Sequence, residues 1–235
     1  IDSFWWRGHC YYDLWWRGTW EKEGGGPTLN HAVHHIDMLN WLEGNLPVEV
    51  IAMLTNVMHD NAEVEDLSVA CLRYRDGSLA QITSSVIHHG EKQGITLQCA
   101  NAGLSIPWKI EAEVSQKNGF PKPEGNQELV KMLQDYYDNI PDLKYEGHTG
   151  EIEDVLTALE NGTTPLITGI DGRKTVEIIT AIYLSGFRKC TVKLPIQRDD
   201  LGYTFSDIID NSIHFNDKTV SVTNFDEGRI TLGNY

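Results

Sequence analysis

Basic residues are scarce in this chain. It carries 19 Lys and Arg against 34 Asp and Glu, a formal net charge of −15. That balance excludes a phosphate-tracking nucleic-acid surface, which needs clustered cations. It argues equally against an anionic membrane surface, and leaves a solvated acidic exterior as the default. Cysteine is also sparse. Cys10, Cys71, Cys99 and Cys190 stand far apart with no CxxC pair, so no disulfide framework is built on them. Those on strands read as buried small apolar residues, and the reduced thiols suggest a cytoplasmic setting. No apolar run approaches the roughly 18 residues of a membrane span. No basic and apolar leader opens the chain, and no repeat or low-complexity tract interrupts it. Asn161-Gly162-Thr163 spells a glycosylation sequon, read here as a turn.

A nucleotide-binding fingerprint is missing too. No strand, GxGxxG turn and helix followed by an acid occurs. The 235 residues begin at Ile1, inside an expected strand over 2–7. The sequence therefore reads as a piece of a longer protein, sized for one large domain or two small ones.

What is present is a run of expected strands after one helix. They fall at 47–58, 64–75, 78–88, 93–99, 102–106 and 109–116, with Asp76-Gly77 as a hairpin signal. Alternation through Val69, Cys71, Leu79, Gln81 and Thr83 separates a buried face from a wetter one. Helices are expected at 126–138, 150–161 and 171–187, the last capped by Asp171, with a closing strand over 191–194. This order predicts an α+β fold, a large, mostly antiparallel open sheet with helices on one face. The expected organisation is a domain over 1–196 and an extension over 197–235 packed on it, with short alternating runs at 219–222 and 229–232.

Chemistry concentrates in residues 11–44, YYDLWWRGTWEKEGGGPTLNHAVHHIDMLNWLEG. Gly24, Gly25 and Gly26 permit close backbone approach. Pro27 suits a first helical turn and Gly44 a helix stop. Between them Leu29, Ala32, Val33, Ile36 and Leu39 form one apolar stripe. Asn30 and His34, four residues apart, neighbour each other on a different face that continues to Asp37 and Trp41. The stripe buries the helix without His34, which leaves that histidine free for chemistry. Arg17 offers a planar fork for phosphate or carboxylate, with an ion pair as the plainer alternative.

This segment resembles the substrate-domain signature of the Gfo/Idh/MocA oxidoreductases, relatives of glucose–fructose oxidoreductase and inositol dehydrogenase. That signature runs Trp-Arg, Gly-Gly-Gly, Asp-x-x-x-His on a helix, then Ile/Leu-Asp. Trp16-Arg17, Gly24 to Gly26, His34 and Ile36-Asp37 match it, while Asn30 stands where many members carry Asp. The likeness resumes at Gly147-His148 and through PLITGIDGRKTVEIITAIYLSGFRKCTVKLP at 165–195, and so spans about 1–196.

The resemblance implies half of a nicotinamide-dependent oxidoreductase acting on a hydroxyl of a sugar, inositol or sugar derivative. It implies His34 as acid/base, since histidine titrates near neutral pH in general. Asn30 would hold the substrate or orient His34. Arg17 and Trp16 would touch substrate and cofactor, with Tyr12, Asp13 and His148 as further substrate contacts. NAD or NADP would be bound mainly by an amino-terminal Rossmann domain, which also supplies a lysine to the site. A homo-oligomer through the sheet face is implied as well, and a non-catalytic binding and oligomerisation module is the alternative. A metal site on His31, His34, His35 and Asp37 is the weaker reading. His31 and His35 have zinc-helix spacing, but Ala32 stands where such a helix carries its Glu base, and His34 falls off their shared face.

Overall fold

The structure, a computed structural model, describes residues 1–225. Two compact units divide the chain, one of residues 1–93 and 173–235, the other of residues 94–172.

The first unit holds β1 (Asp2–Trp6), α1 (Pro27–Asn30), α2 (Val33–Glu43), β2 (Glu49–Thr55), β3 (Leu67–Arg73) and β4 (Leu79–Ser85). The first half of β5 (Ile87–Gln98) belongs to it as well. β2 pairs antiparallel with β3, and β3 with β4, whereas β1 lies parallel to β4, with Ser3 opposite Ser84. Alternation sets the two faces, because successive side chains on a strand point to opposite sides. Val50, Ala52, Ala70, Leu72 and Ile82 point inward and are buried. They share one core with Ile36 and Leu39 of α2 and with Ile178, Ile179 and Ile182. The outward positions Ile51, Met53, Val69 and Leu79 stay exposed.

The second unit carries the rest of β5, with β6 (Gly103–Ile106), β7 (Lys109–Glu111), α3 (Gln127–Asp138) and α4 (Gly147–Asn161). β5 pairs with β6 and β6 with β7, both antiparallel. Trp108 stacks on Tyr137 with ring centroids 3.9 Å apart and bonds Gln134 through its indole N–H. α4 turns the stripe Ile152, Val155, Leu156 and Leu159 outward, all exposed. α5 (Gly169–Arg188) begins in this unit and continues in the first, where β8 (Val192–Lys193) pairs with β2 and α6 (Phe205–Asn211) follows. The fold is thus α+β with a mostly antiparallel sheet, and no helix among the described residues is long and apolar enough to cross a membrane.

Four local expectations are corrected. The single helix over 27–44 is two, broken at His31-Ala32. The Pro27 carbonyl accepts from both His31 N at 3.1 Å and Ala32 N at 2.9 Å, so one extra residue is inserted in the ladder. Asp171 is not the cap of α5. It lies inside the first turn, and its carboxylate accepts from the N–H and hydroxyl of Thr168. Cys71 and Cys99 are exposed rather than buried, because Cys71 shares the outward side of β3 with Val69. Residues 219–222 form no strand, only a bridge of Val222 to Leu14, and 229–232 lies outside the described residues.

Candidate active site

The glycine turn is built by close approach. A Cβ on Gly25 would stand 2.0 Å from the Tyr183 hydroxyl, and one on Gly26 would stand 2.0 Å from the Glu65 carbonyl oxygen. Only glycine fits between those neighbours. Gly24 has φ +84°, in the left-handed region. The chain then enters α1 through Pro27, whose missing N–H is no loss at a first turn.

Asn30 ends α1, half-buried, and its side-chain amide donates to the Gly25 carbonyl at 3.0 Å. Beyond the break at His31-Ala32, His34 sits in the first turn of α2 with its side chain exposed. The other two histidines differ from it. His31 is mostly buried, and burial, with Arg7 and Arg17 nearby, pushes its pKa down to about 3, so it is neutral. Its ring lies 5.3 Å from that of Trp5, and its Nδ1 is buried with no partner. Burial lowers His35 too, and its Nδ1 is likewise unpartnered. Asp37 faces away from chemistry, since its carboxylate accepts from the Thr175 hydroxyl of α5 at 2.6 Å. No group of three or more His, Cys, Asp or Glu that could hold a metal ion forms among the described residues.

Arg17 is held by aromatic faces and one acid. Its guanidinium lies 4.0 Å from the Tyr11 ring centroid and 4.2 Å from that of Trp16. It donates to the Tyr11 hydroxyl, and to Glu23 at 3.1 Å. The Glu23 side chain is only 2% exposed, and burial raises its pKa, while the Gly18 N–H and Arg17 hold it down. The ion pair expected as the plainer role of Arg17 is therefore present. Arg17 Nε remains buried without an acceptor. Arg7 approaches Tyr11 from another side at 5.6 Å and pairs with Glu91 at 2.9 Å.

Tyr12 is 1% exposed and belongs to the core, edge-on to Tyr11 and His59, so its ring cannot meet a substrate. The Asp13 carboxylate accepts from Asn61, an amide that ties this loop to Val220. His148 belongs to the second unit, at the start of α4, with its side chain 96% exposed and bonded to Glu151. Sequence reasoning missed Glu65, Tyr183, Tyr11 and Glu23. Glu65-Asp66 carried a signal, as two acids placed where an apolar strand begins.

Comparison with known proteins follows this geometry. Residues 2–105 match the GFO/IDH/MocA C-terminal domain model. No curated protein matches the chain by sequence. Among solved structures, the WlbA dehydrogenase from Bordetella pertussis, in complex with NADH and UDP-GlcNAcA, is 25% identical with a TM-score of 0.61, covering 83% of this chain and 53% of that one. The WlbA dehydrogenase from Chromobacterium violaceum, also in complex with NADH and UDP-GlcNAcA, is 27% identical with a TM-score of 0.62 over the same shares. Aldose-aldose oxidoreductase from Caulobacter crescentus, 20% identical with a TM-score of 0.59 over 82% of this chain and 54% of that one, shares the fold. The chain spans about half the length of these solved relatives.

Proposed function

We propose that this chain, whose residues 2–105 match the GFO/IDH/MocA C-terminal domain model, is the substrate-binding and acid/base half of a nicotinamide-dependent oxidoreductase. Its substrate is a hydroxyl of a sugar or sugar derivative. The observation that carries this is that Asn30 is fixed by the glycine turn at the end of α1, while His34, in the first turn of α2, is open to solvent. The fold likeness to dehydrogenases solved with NADH supports it.

NAD or NADP, bound mainly by an amino-terminal dinucleotide domain, supplies the hydride acceptor. The donor set here suits such a partner, with an accessible imidazole, an amide and a stacked guanidinium. His34 accepts the hydroxyl proton as the hydride leaves. Asn30, its amide nitrogen committed to Gly25, keeps its carbonyl oxygen to accept from a substrate hydroxyl. Arg17 and Trp16 present a flat cationic and aromatic surface for substrate and cofactor. Asp13, half-buried, stands as a secondary substrate contact.

Residues 1–196 act as the substrate domain, with 197–235 as an extension on it. The exposed face of β2 and β3 seats a second copy. Four exposed free cysteines suit a reducing, cytoplasmic compartment.

The test is His34→Ala in the full-length protein, reading NAD(P) reduction across a panel of inositols, aldoses and nucleotide sugars. A kcat loss of about 10²- to 10⁴-fold is expected, and near wild-type turnover overturns the assignment. Cofactor binding by the full-length protein without turnover of any substrate would favour the non-catalytic module.

A further inference from the structure

Glu65 is a fully buried carboxylate that the mechanism above does not use. No cation is bonded to it among the described residues. Its partners are all on or behind the glycine turn. Oε2 accepts from Gly26 N at 3.1 Å, and Oε1 from Thr28 N at 3.1 Å and from the Tyr183 hydroxyl at 3.1 Å. Gly26 is the cap position of α1 and Thr28 is in its first turn, with Pro27 between them offering no N–H. α1 has no cap of its own. Glu65 therefore caps it from a distant part of the chain, satisfying the orphan amides and placing negative charge at the positive end of the helix.

The same contacts grip the turn from two sides. Tyr183 closes over Gly25 and Glu65 closes over Gly26, each so near that no Cβ fits. Gly25 is the residue whose carbonyl receives the Asn30 amide. A continuous set of bonds thus runs from the Glu65 carboxylate and the Tyr183 hydroxyl, through the turn, to Asn30. Packing alone does not account for an acid here. Burying a carboxylate costs several kcal/mol that an apolar side chain of similar volume does not incur.

We propose that Glu65 is a positioning residue, which with Tyr183 pins the Gly25–Gly26 turn and so fixes the Asn30 amide that meets the substrate. The proposal rests on the role given to Asn30 above. Burial pushes the Glu65 pKa up to about 7. Protonation removes the charge that strengthens the bonds from the Gly26 and Thr28 amides, so the grip on the turn loosens as pH falls through neutrality.

Two measurements on the full-length protein test this. The first is a double-mutant cycle in steady-state turnover with Glu65→Gln and Asn30→Ala. Glu65→Gln is expected to lower kcat by about 10- to 100-fold, with the KM for NAD(P) unchanged. Added to Asn30→Ala it should cost little more, because both act through one amide. Fully additive losses, or a lowered melting temperature with unchanged kcat, overturn the proposal. The second measurement needs no turnover. In protein labelled with ¹⁵N at asparagine, the Asn30 side-chain amide should shift with pH around neutrality in wild type, and lose that dependence in Glu65→Gln. A pH-independent wild-type signal overturns the proposal even if His34→Ala abolishes turnover. A titrating signal alongside wild-type turnover in His34→Ala upholds the pin and sinks the acid/base assignment of His34 instead. Should Glu65→Gln fail to fold, Tyr183→Phe removes one donor from the same carboxylate and is expected to move both readouts in the same direction.

Discussion

At the residue scale, two buried titratable groups shape stability against pH in opposite senses. Glu65 has a folded pKa of about 7, above the usual glutamate value of 4.5. The folded state holds that proton more tightly, so its contribution is fullest below about pH 4.5 and is lost as pH rises towards 7. The whole change is about 3 kcal/mol. His31 runs the other way. Its folded pKa of about 3 lies below 6.5, so its contribution is present above pH 6.5 and is lost as pH falls towards 3. Between pH 4.5 and 6.5 the two slopes oppose each other. Urea denaturation across pH should therefore show Glu65→Gln without the loss towards pH 7, and His31→Gln without the loss below pH 6.5. A glycine prediction belongs here as well. Gly26→Ala should destabilise by about 3 kcal/mol or more, since the clash is with the Glu65 backbone rather than a movable side chain. Chemical denaturation measures it, and a variant as stable as wild type would contradict the close approach.

At the scale of elements, a buried serine ties α5 to the sheet. Ser185 of α5 accepts from Ala52 N of β2 at 2.9 Å and donates to the Cys190 carbonyl at 2.6 Å. Ser185→Ala should cost about 1–3 kcal/mol, because a buried strand N–H loses its partner. A thermal melt reads it as a lowered Tm with no change in cofactor binding. α2 is joined to α5 by Asn40 and Asp37, both bonded to Thr175. That explains why Asp37, legible in the motif, serves packing. The break at His31-Ala32 was not legible. Both residues fit the helical period, and only the doubled bond to the Pro27 carbonyl inserts the extra residue. Its consequence is that His31 and His34 end in different surroundings, one buried and one exposed.

At the scale of the molecule, the outward face of β2, β3 and β4 carries Ile51, Met53, Val69 and Leu79 in the open. Exposed apolar surface grouped in this way marks an interaction site. Seating a second copy there, as proposed above, predicts a dimer in light scattering that Met53→Lys together with Val69→Lys converts to monomer without loss of fold by circular dichroism. A wild-type monomer would remove the oligomer from the proposal.

The sequence by itself determined the run of strands, the later helices and the chemistry-bearing segment, because alternation, helical period and glycine spacing are local and repeat along the chain. The order of the strands in the sheet, with β1 parallel to β4, was decided by the tertiary structure. Which face of the sheet is covered was decided only by the tertiary structure, since Cys71 and Val69 fit a buried row as readily as an open one. Tyr12 likewise reads as a candidate contact until its ring is seen inside the core. Glu65 meets Gly26 across 39 residues of chain, and Tyr183 meets Glu65 across 118. No local pattern encodes such a meeting, because close approach depends on how the strands and α5 pack in space.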